Sequence, residues 1–288
     1  MKPPLFSYIR PGTLKEAVEA IAATNETDEE VRILAGGQSL IPLLNFRLAY
    51  PTVLVDLNIV DELSLISTQD DWLVLGSMVR LRHAEISEEV IDACPLLIAA
   101  LRHVGHLQIR NRGTIGGSIA HADPAAELPA LVLCLGAQIV AVSTRGQRVI
   151  EAPDIFLGPF TTTLAADEMV TEIRFPKTTS SKTAFVEFSR RHGDFAIAGV
   201  GVAVAFEQDG KTVHEARFGA LGVGSTPVRL TGAEEAIQGK ELTDSIIKES
   251  AEIASLEVEP LDDIHADAEY RRELLAHLVC RSLREVGA

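Results

Sequence analysis

At 288 residues, 47% of them apolar and 23% charged, the chain has the composition of a soluble globular protein with room for two or three sub-domains sharing a surface. A formal charge of −15 argues against a nucleic-acid partner and an anionic membrane surface, leaving Arg102, Arg110 and Arg112 as a local cluster able to hold a phosphate or a partner. Cys94, Cys134 and Cys280 are far apart and form no CxxC, so a disulfide framework, zinc ribbon or iron–sulfur cluster is not supported; with no leader-like apolar segment and no run of membrane-spanning length, the expected location is the cytoplasm.

Thr13 with Glu16 reads as a capping box, and Leu14, Ala17, Val18, Ile21 and Ala22 follow at helical spacing. The apolar run Val31 to Leu34 predicts a strand that ends in Ala35-Gly36-Gly37-Gln38-Ser39. Ser39 stands at the N-cap of a short helix predicted over Leu40 to Leu48, with Pro42 tolerated in its first turn. Val53 to Leu57 reads as a second buried strand. Residues 1–60 therefore predict a small α/β unit with parallel strands and a glycine loop at a strand's C-terminal end.

The next stretch changes character. Leu63 to Ile66 and Trp72 to Leu75 flank the turn Gln69-Asp70-Asp71 as a hairpin, and helical patterns cover His83 to Ile91 and Pro95 to Val104. A second glycine loop, Thr114-Ile115-Gly116-Gly117-Ser118, precedes a helix at Ala130 to Leu135. Strands follow at Gln138 to Val142 and Met169 to Phe175, the latter closed by Pro176. Residues 61–177 read as an antiparallel sheet with helices attached, ending at the polar linker Lys177 to Lys182. Residues 178–288 hold strands at Ala184 to Ser189, Val200 to Phe206 and Thr212 to Ala220, then helices, the last over Asp267 to Val286. The class is α+β.

Signatures of chemistry are sparse. HExxH, GxSxG and GxxxxGK[ST] are absent, and Gly239-Lys240 is followed by Glu241. His103 and His106 have helical metal-ligand spacing but no carboxylate or thiol beside them, so they read as partly buried polar groups. His121 with Asp123 reads either as an acid–base pair or as a loop pair beside a phosphate. Gly199-Val200-Gly201 and Gly222-Val223-Gly224 read as small residues in sheet packing. The two glycine loops are the positive signal. Glycine admits close approach and positive φ, and a helix start offers unpaired N–H groups to an anion. Two such loops suggest a ligand with two phosphates, or a long one held along its length; mere tight turns are the alternative.

The segments AGGQSLIPLLNFRL and RNRGTIGGSIAHADPAAELP resemble the paired FAD-binding segments of the medium, flavin-carrying subunit of molybdenum hydroxylases, a family that includes carbon monoxide dehydrogenase, xanthine dehydrogenase and bacterial N-heterocycle dehydrogenases. The similarity extends to Phe6 to Pro11, Glu168 to Pro176, Arg190 to Phe195 and Ala268 to Arg271. It implies a two-sub-domain FAD-binding region, a small α/β unit plus an antiparallel sheet with helices, followed by a C-terminal antiparallel sheet and helix domain. FAD would be held by Ile33, Leu34, Ala35, Gly36, Gly37, Gln38, Ser39 and Leu40 and by Thr114, Ile115, Gly116, Gly117 and Ser118. The pyrophosphate would lie on the backbone N–H groups and hydroxyls of Ala35 to Ser39 and Thr114 to Ser118. Glu127 matches an acidic residue that contacts the cofactor, Val170 would pack on the isoalloxazine or ribityl region, and Phe195 would lie against the flavin ring. Ser118 stands where relatives commonly have asparagine, and Gln38 where some have histidine. The cysteine-rich insertion of the hydroxybenzoyl-CoA reductase branch is absent.

The resemblance further implies an oxidoreductase subunit with no catalytic residue or metal of its own. Molybdopterin would sit in a large partner subunit and [2Fe–2S] clusters in a small one, the whole a dimer of heterotrimers. Electrons would pass from the clusters to FAD and on to an external acceptor. A self-contained FAD oxidase and a non-enzymatic α/β interaction module stand as alternatives. The former needs acid–base residues and a larger substrate domain than remains after Lys182.

Overall fold

The structure, a computed structural model, describes residues 2–25 and 29–288. The first unit contains β1 (Ser7–Ile9), α1 (Leu14–Asn25), β2 (Val31–Leu34), α2 (Leu40–Phe46) and β3 (Val53–Asp56), with the strands parallel in the order β1-β3-β2. The middle strand, β3, is buried throughout. Val53 and Val55 share a core with Ala17, Val18 and Ile21 of α1, while Asp56 belongs to the opposite face of the pleat. Thr13 Oγ1 accepts the Glu16 N–H at 3.2 Å, but Glu16 reaches back to the Gly12 N–H at 2.7 Å, one residue earlier than a capping box places it. Ser39 stands at the N-cap of α2 without a side-chain capping bond, and the helix stops at Phe46 because Arg47 turns left-handed, at φ 56°.

The second unit is an antiparallel five-stranded sheet in the order β4-β5-β10-β6-β7. In chain order it comprises β4 (Ile66–Gln69), β5 (Trp72–Gly76), α3 (Leu81–Ile86), α4 (Glu88–Ala93), α5 (Pro95–Leu101), α6 (Leu107–Arg110), α7 (Ile115–His121), α8 (Glu127–Leu135), β6 (Gln138–Ser143), β7 (Gly146–Glu151), the small pair β8 (Phe156–Gly158) and β9 (Thr161–Thr162), and β10 (Met169–Pro176). Leu73, Leu75, Ile139, Ile173 and Phe175 from neighbouring strands share one core with α5 and α8. The helix expected over 83–91 is two, separated by extended Ser87. The one expected to reach Val104 ends at Leu101, ahead of Gly105 at φ 50°.

The third unit is an antiparallel sheet, β11 (Ser181–Phe188), β12 (Ala198–Phe206), β13 (Val213–Leu221) and β14 (Val228–Arg229) in that order, covered by α9 (Thr231–Ile237), α10 (Asp244–Leu256) and α11 (Ala268–Gly287). Strand β12 alternates sharply. Ala198, Val200, Val202 and Val204 join the core shared with α9, α10 and α11, while Gly199, Gly201 and Ala203 point the other way. The small face admits the second unit: a Cβ on Gly201 would lie 2.9 Å from Leu131 of α8, and one on Gly219 of β13 would strike the Ala130 carbonyl. The third sheet is thereby locked against α8. No helix among the described residues is long and apolar enough to cross a membrane.

Candidate cofactor site

The two glycine loops touch. Gly36 and Gly37 leave the C-terminal end of β2, with Gly37 at φ 73°. A Cβ on Gly36 would strike the carbonyl of Arg112 and lie 2.8 Å from Gly113 Cα, so the first loop rests on the backbone leading into the second. A Cβ on Gly117 would stand 3.5 Å from Ala35 Cβ and 2.6 Å from Thr114 Oγ1. Loops some eighty residues apart in sequence form one interlocked wall.

Side chains absent from the sequence-based site hold that wall. Arg80 donates to the Arg112 carbonyl and to Asn58 Oδ1, and Asn58 donates to the Ala35 carbonyl at 3.0 Å and to Asp56. Asp56 also accepts from the Tyr8 hydroxyl. Burial works to raise the Asp56 carboxyl, yet the bonds from Tyr8 and Asn58 hold it below its ordinary value, so it stays anionic. Burial and the neighbouring Arg112 push the Arg80 guanidinium below its ordinary pKa, while Asp56 opposes them. Asn58 carried a legible signal, a polar residue just past a buried strand on the same sheet edge as the glycine loop; Arg80 carried none.

The loops differ in what they offer an anion. Among the described residues no acceptor pairs with the backbone N–H of Gly36, Gly37, Gln38, Ser39 or Leu40. Five successive donors around a left-handed glycine form the kind of concavity that receives phosphate oxygens. The second loop is the start of α7, and its amides are already committed. Ile115 donates to Val79 O at 3.0 Å, Gly116 to Ser77 O at 2.9 Å, and Gly117 to Oγ1 of the N-cap Thr114 at 3.1 Å. That segment therefore offers mainly hydroxyls: Thr114, 2% exposed, and half-buried Ser118, whose hydroxyl has no partner among the described residues.

The other residues singled out in the sequence stand further out. Ile33 and Leu34 are half-buried in β2, and Leu40 opens α2. Glu127 opens α8, where burial first and the charge of Glu187 second push its carboxyl up to about 8. Val170 is 7% exposed and belongs to the core of the second unit together with Ile115 and Ile119 of α7. Phe195 is 67% exposed on the loop between β11 and β12. That loop leans on the second unit through His192, whose ring stacks on His106 at 6.1 Å, and through Gly193 against the His106 ring. His103 pairs with Glu187 at 3.3 Å, and no metal-binding group of His, Cys, Asp or Glu occurs among the described residues. His121 packs on Phe160, and its burial disfavours the imidazolium while Asp123 favours it.

An unpaired run of amides, a glycine wall that a Cβ would fill, and nearby hydroxyls suit an anionic dinucleotide and no metal ion. The comparisons agree with that chemistry. Residues 4–178 match the family model described as FAD binding domain in molybdopterin dehydrogenase, and residues 183–286 match the CO dehydrogenase flavoprotein C-terminal domain. The chain is 38% identical to the nicotine 6-hydroxylase medium subunit of Paenarthrobacter nicotinovorans over 100% of its own length and 99% of that protein. It is 34% identical to the carbon monoxide dehydrogenase medium chain of Hydrogenophaga pseudoflava, covering 100% and 99% of the two. The structure of quinoline 2-oxidoreductase from Pseudomonas putida 86 superposes with a TM-score of 0.94 at 36% identity, over 100% of this chain and 98% of that one. Two interlocked glycine loops, the sheet-and-helix C-terminal domain and these matches together make the chain an oxidoreductase subunit that binds FAD, a member of the medium-subunit family of the molybdenum hydroxylases.

Proposed function

We propose that this chain is the electron-transfer flavoprotein of a multi-subunit molybdenum hydroxylase, standing between the [2Fe–2S] clusters of a small partner subunit and an external acceptor, with hydroxylation carried out at molybdopterin in a large one. Bound FAD supplies the exchange between one-electron and two-electron carriers that no side chain here provides. The chain's own residues bind and orient. Gly36 to Leu40 present amide donors to the pyrophosphate, Thr114 and Ser118 present hydroxyls, and Arg80 with Asn58 holds the two loops at fixed separation. Glu127 and Phe195 are assigned to the ribityl and ring end of the cofactor, and Val170 supports that end from within the core. Relatives named as a medium subunit and a medium chain support a large and a small companion.

The observation that carries this reading is the contact between the two loops, Gly36 on Arg112 and Gly113, and Gly117 beside Ala35. Gly117→Asp places a carboxylate against Thr114 and Ala35, where the pyrophosphate charge would lie. The variant is expected to purify folded and colourless while the wild-type chain carries FAD. Stoichiometric yellow flavin in the variant would refute the assignment. Turnover of an organic substrate by the isolated chain would instead favour a self-contained oxidase.

A further inference from the structure

The brace between the two glycine loops is also a charge. Val79 to Leu81 run antiparallel to Gly113 to Ile115. Ile115 donates its N–H to the Val79 carbonyl at 3.0 Å and Leu81 to the Gly113 carbonyl at 3.0 Å, which sets Arg80 directly opposite Thr114. This is the closer kind of antiparallel pairing, in which two facing side chains emerge side by side on one face. The Arg80 side chain therefore leaves the backbone beside the Thr114 hydroxyl that caps α7. From there it donates to the Arg112 carbonyl, the same oxygen that a Cβ on Gly36 would strike, and to Asn58 Oδ1 in the first unit.

Those two bonds leave guanidinium N–H groups over, and among the described residues these meet no acceptor and Arg80 forms no ion pair with a carboxylate. The charged groups facing it are Arg112 in its own unit and Asp56 in the first. Asp56 is shared: it accepts from the Tyr8 hydroxyl and from Asn58, and Arg10 Nε lies 4.0 Å away. A half-buried cation, with a second cation near it and its one acid engaged elsewhere, thus stands where the loops meet. Its planar fork suits an anion that accepts two parallel N–H groups, and phosphate oxygens match that geometry.

We propose that Arg80 is a cofactor-binding residue in its own right, its open N–H groups and its charge facing the FAD pyrophosphate between the amides of Gly36 to Leu40 and the hydroxyls of Thr114 and Ser118. This rests on the reading of the two loops as the FAD site. Amides and hydroxyls carry no net charge, so Arg80 supplies the cation that the rest of the wall lacks. Asn58 is a positioning residue acting through it. With its amide nitrogen committed to the Ala35 carbonyl at 3.0 Å and to Asp56, Asn58 turns its oxygen toward the guanidinium and fixes the plane of the fork.

The test uses the full chain stripped of flavin, with FAD affinity measured by fluorescence titration at a series of salt concentrations and inorganic pyrophosphate binding followed by calorimetry. Arg80→Met is expected to weaken FAD by about tenfold to a hundredfold at low salt, the gap to wild type narrowing as salt rises and screens the lost charge. Pyrophosphate is expected to weaken in step. Arg80→Gln, neutral but able to donate to the Arg112 carbonyl, repeats the measurement with the brace retained. Arg80→Lys keeps the charge without the fork and is expected to regain the salt dependence and part of the affinity. Asn58→Ala keeps the cation and loosens its seat, so its loss is expected to be the same factor at every salt concentration. Arg80→Met or Arg80→Gln proteins that bind FAD as tightly as wild type, or lose affinity by one constant factor as Asn58→Ala does, overturn the proposal and leave Arg80 a brace alone. A wild-type chain that binds pyrophosphate through Arg80 yet takes no FAD would instead break the FAD reading and leave Arg80 as a diphosphate ligand.

Discussion

Gly36→Ala tests the meeting of the two loops with a single methyl group. The added Cβ points at the Arg112 carbonyl and would lie 2.8 Å from Gly113 Cα, where ordinary contact begins at 3.4 Å. Neither obstacle is the end of a flexible side chain. The Arg112 carbonyl is held by Arg80, and Gly113 is held by its N–H on Ile109 O at 2.7 Å and its carbonyl on Leu81 N–H at 3.0 Å. The methyl is therefore accommodated only if the loops part by roughly 1 Å, an overpacking that costs about 1–3 kcal/mol. Near the upper end this corresponds to about a hundredfold loss of FAD affinity where the strain falls on the closed, cofactor-holding arrangement. Where it falls on the folded chain as a whole, Tm drops by roughly 5 °C. The assay is a fluorescence titration of flavin-stripped protein with FAD, paired with a thermal melt. Gly158→Ala serves as the control: like Gly36, Gly158 is outside the left-handed region, and nothing lies within 4 Å of an added Cβ there, so it adds the methyl without the clash. A Gly36→Ala protein that matches the wild type in both FAD affinity and Tm, or loses no more than Gly158→Ala, refutes the interlocked-loop account.

Arg271→Met removes a 7%-exposed guanidinium side chain that donates to Ile197 O, to Gly222 O at 2.8 Å and to Asp263 at 2.7 Å, and leaves two carbonyls beneath the Phe195 loop without their donor. A destabilisation of about 3 kcal/mol is expected, read as a shifted denaturant midpoint; a midpoint within experimental scatter of the wild type would count against it. Cys94 and Cys134 are buried, and burial pushes both thiols up, Cys94 to about 11, whereas Cys280 is half-buried. A thiol reagent is expected to modify Cys280 alone in the native chain and all three cysteines after unfolding, with rapid native labelling of Cys134 as the contrary result.

Much of the architecture was legible because the apolar periods are clean. Strand β3 is a continuous buried run, α11 keeps an apolar stripe, and the hairpin of β4 and β5 turns at Asp70, left-handed at φ 48°. What escaped lacks such a period. Strand β1, Ser7–Ile9, is exposed along most of its length and exists because it pairs with β3. Strand β7 buries only Ile150. The second glycine loop reads as a loop because Gly116 and Gly117 are poor helix formers, yet it is the first turn of α7. The requirement is tertiary: a Cβ on Gly116 would lie 2.8 Å from the Ser77 backbone, so only glycine lets the helix start there. The two glycine motifs were readable as loops able to meet a common ligand, and the structure brings them into contact. The Arg80–Asn58 brace was not readable, since it joins residues whose proximity is created only by the folded sheets.

The order of the five-stranded sheet has a consequence for biosynthesis. Its middle strand, β10, is the last of the five to be translated, and its Thr171 carbonyl accepts the Ser77 N–H at 2.8 Å. Ser77 in turn accepts the Gly116 N–H on which the second glycine loop is seated. A nascent chain that has emerged only through its two glycine motifs therefore possesses both halves of the cradle and the Arg80–Asn58 brace, but not the strand on which Ser77 is seated. Flavin acquisition waits for the strand that ends at Pro176, and ribosome-bound chains arrested before that point should leave the cofactor in solution.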